Sequence, residues 1–317
     1  MPEPLISIIM PAYNAAQYLE ESIQSVIDQS YTNWELIIIN DGSTDGTEAI
    51  ANKYTLADTR IKLINQSNQK LSAARNTGIK TATGQWIAFL DADDLWIPEK
   101  LARQVKTMEE YPNAGVIFTG GYTFTNNDID NNLPYQTISG FYSGTEMYQL
   151  EYQGNHIPVL SVLAKKELLD NIGLQDESLM ACQDWDYWLR LAANGAGFYG
   201  LPEKLFYYRR HGNNMSNDNY LILFEQACIF LKNFRAAFFT PAEITKLKSF
   251  VQITICQLIK AGKIKEALYL NRKNAIITKD ASGNLIGFLM SKLKGQSYYL
   301  VRLIFKVDKI LSKPVQQ

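Results

Sequence analysis

Cysteine and histidine are scarce in this chain of 317 residues, and their scarcity removes two classes of protein at once. Cys182, Cys228 and Cys256 are an odd number with no CxxC spacing, and His156 and His211 lie far apart. Neither a disulfide framework nor a zinc site is expected, and a reducing compartment suits the sequence. Glycine-rich phosphate loops are missing too. No GxGxxG follows a strand, and Ala261-Gly262-Lys263-Ile264 lacks both the upstream glycine and the hydroxyl residue of a Walker A loop. No GxSxG elbow occurs. Dinucleotide oxidoreduction, P-loop hydrolysis and serine hydrolysis therefore lose ground. No stretch reaches the ~18 uncharged apolar residues of a membrane span. Met1-Pro2-Glu3-Pro4 brings no positive n-region, so no signal peptide is expected and the chain reads as cytoplasmic.

What the chain does have is an ordinary globular balance, 46% hydrophobic and 20% charged, enough for a large core in one big domain or two. The net charge of −1 hides an asymmetry. Residues 1–216 hold 15 Lys+Arg against 26 Asp+Glu, whereas residues 217–317 hold 16 against 6. A basic tail of this kind suits an anionic surface, and equally suits helices with solvated lysine faces.

Five carboxylates stand at the ends of apolar runs. Asp41 and Asp45 follow Leu36-Ile37-Ile38-Ile39, and Asp91, Asp93 and Asp94 follow Trp86-Ile87-Ala88-Phe89-Leu90. Acids crowded at the mouth of a hydrophobic strand repel one another, so a cation or a hydrogen-bonding ligand is needed to justify them. A nucleotide and a metal are the expected occupants.

Strands and helices alternate. Leu5–Met10, stopped by Pro11, reads as a buried strand. A helix capped by Asn14, with Gln17 three residues on and Ala15, Leu19, Ile23, Val26 and Ile27 as its apolar stripe, should follow. The pattern continues as strand 35–39, turn 40–46, helix 46–57, strand 61–64, helix 71–82 and strand 85–90. Such βαβ units predict an α/β fold with a doubly wound, mostly parallel sheet flanked by helices. Ligands of these sheets gather at the carboxyl ends of the strands, where both aspartate groups fall.

Beyond residue 97, Pro98 should open a helix carrying Leu101, Val105 and Met108, and 115–119 reads as a strand. Residues 120–140 read as a long loop or irregular hairpin, and 159–163 as another strand. One helix ends near Gly173, and the next carries Trp185, Trp188, Leu189 and Ala192 up to Asn194-Gly195. A strand at Leu205–Tyr208 precedes a wholly helical end. There Leu221, Phe224, Cys228 and Leu231 form one stripe, and Ile253, Leu258, Ala261 and Leu268 belong to an antiparallel pair.

Six blocks in order carry a resemblance: Ser7–Asn14, Glu35–Asp45, Ala73-Ala74-Arg75-Asn76-Thr77-Gly78, Phe89–Asp94, Gln183–Leu191 and Tyr208-Arg209-Arg210-His211. They resemble the family 2 glycosyltransferases over roughly residues 5–216. The resemblance implies the GT-A fold, a nucleotide-sugar donor with UDP as the favoured nucleotide, Mn²⁺ or Mg²⁺, and inversion at the anomeric carbon. It divides the chain into a nucleotide-sugar-binding half, 1–97, an acceptor-binding half, 98–216, and a basic helical C-terminal extension, 217–317.

By the same resemblance Pro11, Tyr13, Asn14 and Asp41 border the nucleoside, and Arg75 suits the base or the diphosphate through its fixed guanidinium fork. Asp91-Ala92-Asp93 resembles the DxD motif, with Asp91 toward the ribose and Asp93 on the metal. Asp184 is the implied general base, in the first turn of a helix whose terminus favours its ionised form. Gln183 replaces the first residue of the usual Glu-Asp pair and, with Trp185, is placed toward the acceptor. Arg209, His211 and Ser216 form a last constellation, His211 being offered to phosphate or metal. Plainer uses stand beside these: Asp41-Gly42 as a turn, Arg75 on the surface, the acids as a solvated loop, Asp184 as a helix cap, His211 as structural, and Trp185 and Trp188 as core.

The expected activity is metal-dependent inverting transfer of a sugar to a hydroxyl of a saccharide or lipid-linked acceptor, in cell-surface polysaccharide synthesis. The alternatives are a sugar nucleotidyltransferase and a non-catalytic nucleotide-sugar-binding module. Residues 286–313, apolar with Lys292, Lys294, Arg302, Lys306 and Lys309, suggest peripheral attachment to the anionic inner face of the plasma membrane, and no nucleic-acid partner is expected.

Overall fold

Ile6–Ala12 (β1) and Trp34–Asp41 (β2) are buried along their whole length because a parallel strand in the middle of a sheet is covered on both faces. The structure, a computed structural model, describes residues 3–125, 128–135, 137–212, 214 and 218–278, with backbone alone for 275–278. Ser216 and the basic stretch 286–313 lie outside the described residues. Two compact units result, Met1–Asn217 and Asp218–Gln317.

In the first unit the elements run in chain order as β1, α1 (Leu19–Ile27), β2, α2 (Thr47–Ala57), β3 (Ile61–Gln66), α3 (Lys70–Thr81), β4 (Trp86–Phe89), β5 (Leu95–Trp96), α4 (Lys100–Glu110) and β6 (Ala114–Thr125). They continue as β7 (Asp128–Tyr135), β8 (Gly140–Tyr142), α5 (Gly144–Glu151), β9 (Leu163–Lys165), α6 (Lys166–Ile172), α7 (Gln183–Ala193) and β10 (Gly197–Arg210). The sheet order is β3-β2-β1-β4-β9-β6-β10-β5, with β7 paired to β6 and β8 to β10. From β3 to β4 every neighbour is parallel, and β9 then enters antiparallel between β4 and β6. The result is the GT-A arrangement, a mostly parallel sheet flanked by helices.

Alternation within β1 and β2 sorts the core. Ile6, Ile8, Met10, Leu36 and Ile38 meet Leu19, Ile23 and Val26 of α1 and Ala51 of α2, all nearly inaccessible. Ile9 and Ile39 face α3, where Gly78 lets the helix approach. Each such side chain contributes about 1.5–3 kcal/mol by leaving water.

Several local expectations need correction. Asn14 does not cap a helix, because α1 begins only at Leu19 behind Tyr18. Residues 159–163 are not one strand: Val159–Ser161 is a 3-10 turn, and only Leu163–Lys165 pairs. Residues 120–140, by contrast, keep to the irregular-hairpin reading: the second half of β6 pairs antiparallel with β7 across a register shift between Thr123 and Thr125. The helix expected at Pro98 starts at Lys100, after the Pro98 carbonyl has accepted the Ser30 N–H at 2.9 Å.

The second unit packs α8 (Asn219–Asn233), α9 (Pro241–Lys260) and α10 (Ile264–Thr278) around Leu231, Val251, Ile255, Leu258 and Leu270. Thr240 and Glu243 close a capping box on α9. Ile253, expected inside, is 56% exposed. No described helix is long and apolar enough to cross a membrane.

Candidate active site

The carboxyl ends of β1 and β2 lie side by side, with Pro11 opposite Ile39 and Ala12 opposite Asn40. Asn14, at φ 49, binds the two following loops together: its N–H donates to Ser43 Oγ at 3.0 Å and its Oδ1 accepts from the Thr44 N–H at 2.8 Å. Pro11 is buried, whereas Tyr13 is 55% exposed and free to offer a ring face. Asp41 is buried and accepts from Gln66 Nε2 at 2.7 Å and from the Gln69 and Lys70 N–H groups at 2.9 Å each. Gly42, at φ 76, keeps the Asn68 backbone so near that a Cβ would stand 2.7 Å from its nitrogen. Asp41 thus fixes the start of α3 as well as bordering the rim.

Four residues after β4 and two from other elements form the acidic centre. Arg75, only 1% exposed on α3, donates from one nitrogen to both oxygens of Asp91 at 2.7 and 2.9 Å. Its Nε and Nη1 are buried without a hydrogen-bond partner among the described residues. Ala92 is buried, small enough to let the chain turn between the two acids. Asp93 Oδ2 lies 2.9 Å from His211 Nε2, and the imidazole stacks on Tyr18 at 5.2 Å. Burial and then the charge of Asp91 push the Asp93 carboxyl above its ordinary value, against the pull of His211. Asp94 is completely buried and rises well above the usual range, again through burial first and its acidic neighbours second.

Arg209 supports this centre from beneath. It is 1% exposed, its Nε donates to the Asp93 carbonyl and its N–H to Asp94 Oδ1 at 2.8 Å each, and its Nη2 meets Glu21 at 2.6 Å. The guanidinium also sits 4.6 Å from the rings of Tyr18 and Phe124. Arg209 is thus a buried residue that holds the acidic turn.

Asp184 reaches the same cleft from the second residue of α7, whose N-cap is Cys182. Burial raises its carboxyl above the ordinary value; the Arg75 guanidinium, the Trp185 N–H and the Asn155 amide pull it back, and Asp91 adds to the rise. Asp184, Arg75, Asp91, Asp93 and His211 thus form one continuous set. A half-buried carboxylate with a raised affinity for protons is the chemistry a general base needs. Gln183 and Trp185 are buried, and the Trp185 indole donates to the Glu151 carbonyl at 2.7 Å. Trp188 is likewise in the core, its Nε1 on the Ile157 carbonyl at 2.9 Å.

Sequence reasoning missed Asn155, Glu151, His156 and Tyr135 on this side. Asn155 Nδ2 donates to Asp184 Oδ2 at 3.4 Å. Burial pushes the Glu151 carboxyl up to about 7 against the pull of His156, while Asp184 adds to the rise. Tyr135 is raised by burial and then by Asp184. Only the polar Gln153-Gly154-Asn155-His156 turn ahead of an apolar run could have signalled them.

Among the described residues no three His, Cys, Asp or Glu side chains are grouped so as to hold a metal ion by themselves. The carboxylate of Asp93 and the imidazole of His211, 2.9 Å apart beside further acids, are donor types that would fit a divalent ion completed by phosphate and water oxygens.

The model of glycosyl transferase family 2 matches residues 7–172. TuaG of Bacillus subtilis (strain 168), provisionally assigned as a teichuronic acid biosynthesis glycosyltransferase, is 35% identical over 221 residues, 69% of this chain and 84% of its own length. Among solved structures, S. aureus TarS 1–349 in complex with UDP aligns over 96% of this chain and 91% of that one, with a TM-score of 0.62 and 18% identity. The mannosyltransferase PcManGT from Pyrobaculum calidifontis, in complex with GDP-Man and Mn²⁺, aligns over 96% and 87% with a TM-score of 0.58 and 16% identity. These two structures share the fold.

Proposed function

The chain belongs to glycosyl transferase family 2 and is a glycosyltransferase, and from that premise we propose that it moves a sugar from a UDP-sugar to a hydroxyl of a saccharide or lipid-linked acceptor, with inversion, in cell-surface polysaccharide synthesis. The observation that carries the mechanism is the shared cleft of Asp184 and the Arg75–Asp91 pair. Residues 1–97 form the donor half and residues 98–216 the acceptor half; residues 217–317 are the basic extension. Support for the nucleotide comes from the UDP bound in TarS, and support for the acceptor class from the assignment of TuaG.

In this reading Tyr13 offers its exposed ring to the base, Asp41 and Asp91 accept from the nucleoside, and Arg75 turns its unused N–H groups toward the donor. Asp93 and His211 would hold Mn²⁺ or Mg²⁺, as the Mn²⁺ complex of PcManGT suggests, and the ion would neutralise charge on the leaving diphosphate. Asp184 takes the proton from the acceptor hydroxyl as that oxygen bonds to the anomeric carbon and the bond to the nucleoside diphosphate breaks. The basic stretch 286–313 attaches the enzyme to the anionic inner surface of the plasma membrane. Failure of the full chain to sediment with anionic vesicles at low salt would remove that last element.

Purified protein presented with a panel of nucleotide sugars, with and without Mn²⁺, tests the core of the proposal through slow donor hydrolysis. Asp184→Asn should still bind UDP with Mn²⁺ yet lose transfer. Unchanged turnover in that variant would exclude Asp184 as the base. Formation of a UDP-sugar with release of pyrophosphate, when UTP and a sugar 1-phosphate are supplied instead, would identify a nucleotidyltransferase, and UDP binding without any turnover a binding module.

A further inference from the structure

The turn after α5 brings an uncommitted donor against the base. Asn155 gives one N–H to Asp184 Oδ2 at 3.4 Å, and its own Oδ1 accepts the Ile157 N–H at 3.3 Å, which fixes the amide with its nitrogen toward the carboxylate. An amide nitrogen carries two hydrogens. Asn155 is exposed, and its second N–H meets no acceptor among the described residues.

The turn is clamped from below. The His156 N–H donates to Glu151 Oε1 at 3.1 Å, its Nδ1 lies 3.5 Å from the same oxygen, and its carbonyl accepts from Thr137 Oγ1 at 3.1 Å. Glu151 is completely buried and its Oε2 has no partner among the described residues, an arrangement that costs stability. Its carbonyl also accepts the indole N–H of Trp185, the residue next to the base. One residue thereby anchors both the turn and the first turn of α7.

We propose that Asn155 binds the acceptor, donating its second N–H to the oxygen adjacent to the reacting hydroxyl, so that the enzyme selects vicinal diols, and that Glu151 is the positioning residue that presents it. The geometry is that of a two-point clamp. Asp184 Oδ2 and Asn155 Nδ2 are 3.4 Å apart, and the two oxygens of a gauche diol lie roughly 2.8 Å apart, an O···O hydrogen-bond distance. The reacting hydroxyl gives its proton to Asp184 while its neighbour accepts from Asn155. An isolated alcohol satisfies only one of the two. The inference rests on Asp184 being the base of the transferase.

The test supplies the nucleotide sugar that the enzyme hydrolyses fastest together with cis-1,2-cyclohexanediol or cyclohexanol, and measures glycoside formed from each. The wild type should favour the diol by about tenfold, the worth of one hydrogen bond. Asn155→Ala should reduce the ratio to about the twofold that two hydroxyls give by number alone. Glu151→Gln, which keeps an oxygen for the His156 N–H, should retain the preference, and Glu151→Ala should lose it. A wild-type ratio near two, or an Asn155→Ala ratio equal to the wild type, overturns the proposal. Absence of any donor consumption by the wild type would instead remove the transferase reading on which it stands.

Discussion

Replacing Arg75 by methionine isolates what a buried guanidinium does for the acids around it. The side chain is 1% exposed, pairs with Asp91 at 2.7 Å, and by its charge lowers Asp184 against the rise that burial imposes. Methionine keeps much of the volume and none of the charge. Breaking a buried ion pair from one side costs about 3–5 kcal/mol. Two terms reduce that here: the Asp91 side chain is 25% exposed and can rehydrate, and two buried Arg75 nitrogens, unpartnered among the described residues, disappear, returning about 1–3 kcal/mol. A net loss of roughly 1–3 kcal/mol remains, or about 3–9 °C in Tm for a domain of this size. The catalytic consequence has a definite sign. Asp184 acts when ionised, so its activity is present above its pKa; losing Arg75 raises that pKa, and the acidic limb of kcat should move to higher pH. Thermal melts and a kcat–pH profile at saturating donor check both parts. An acidic limb that stays in place or moves to lower pH would refute the coupling of Arg75 to Asp184.

Glu35 accepts from Ser7 Oγ, the Thr83 N–H and hydroxyl, and Lys62, and although burial opposes it these bonds bring its carboxyl down to about 2. A depressed carboxylate stabilises the fold above its unfolded value near 4.5 and loses that contribution as pH falls toward 2. Urea melts of Glu35→Gln should therefore show about 3 kcal/mol less stability at pH 7 and a flatter acid slope, and parallel slopes would contradict this. Lys70→Gly should relieve a φ of 74 and stabilise by up to ~1 kcal/mol, since left-handed backbone costs about 1–2 kcal/mol and glycine returns part of that as chain entropy; a lower Tm would count against it. Gly78→Ala places a Cβ 2.5 Å from Ile9 Cγ2, so overpacking of about 1–3 kcal/mol should outweigh the ~1 kcal/mol gain in helix propensity, and a raised urea midpoint would show that the sheet yields there.

The sheet from β1 to β4 was legible because its signals are local. An all-apolar run such as Leu36–Ile39, closed by Asn40-Asp41-Gly42, specifies a buried parallel strand and the loop at its mouth within a dozen residues. Residues 98–216 were less legible because their arrangement depends on distant partners. Residues 159–163 read as one strand, whereas the pairing segment is Leu163–Lys165, set between β4 and β6, and Glu151 gives no local sign that it will be buried. Arg209 illustrates the same limit: a basic Tyr-Arg-Arg-His run suggests an anion, whereas Glu21, 188 residues earlier, meets its charge. Asp184 could be proposed as a base from its motif, but its coupling to Arg75 and Asp91 exists only in three dimensions.

The acidic turn is seated by chain made much later. Asp94 is held by the Arg209 N–H, and Trp96 of β5 pairs with Phe206 of β10. Closing such long loops is the slow part of assembly. During synthesis, strands β1 to β4 can come together as they emerge, but residues 91–94 must wait for β10. A polypeptide arrested before Arg209 would carry the acids without the strand that shapes them, so the newborn enzyme acquires its acidic corner last.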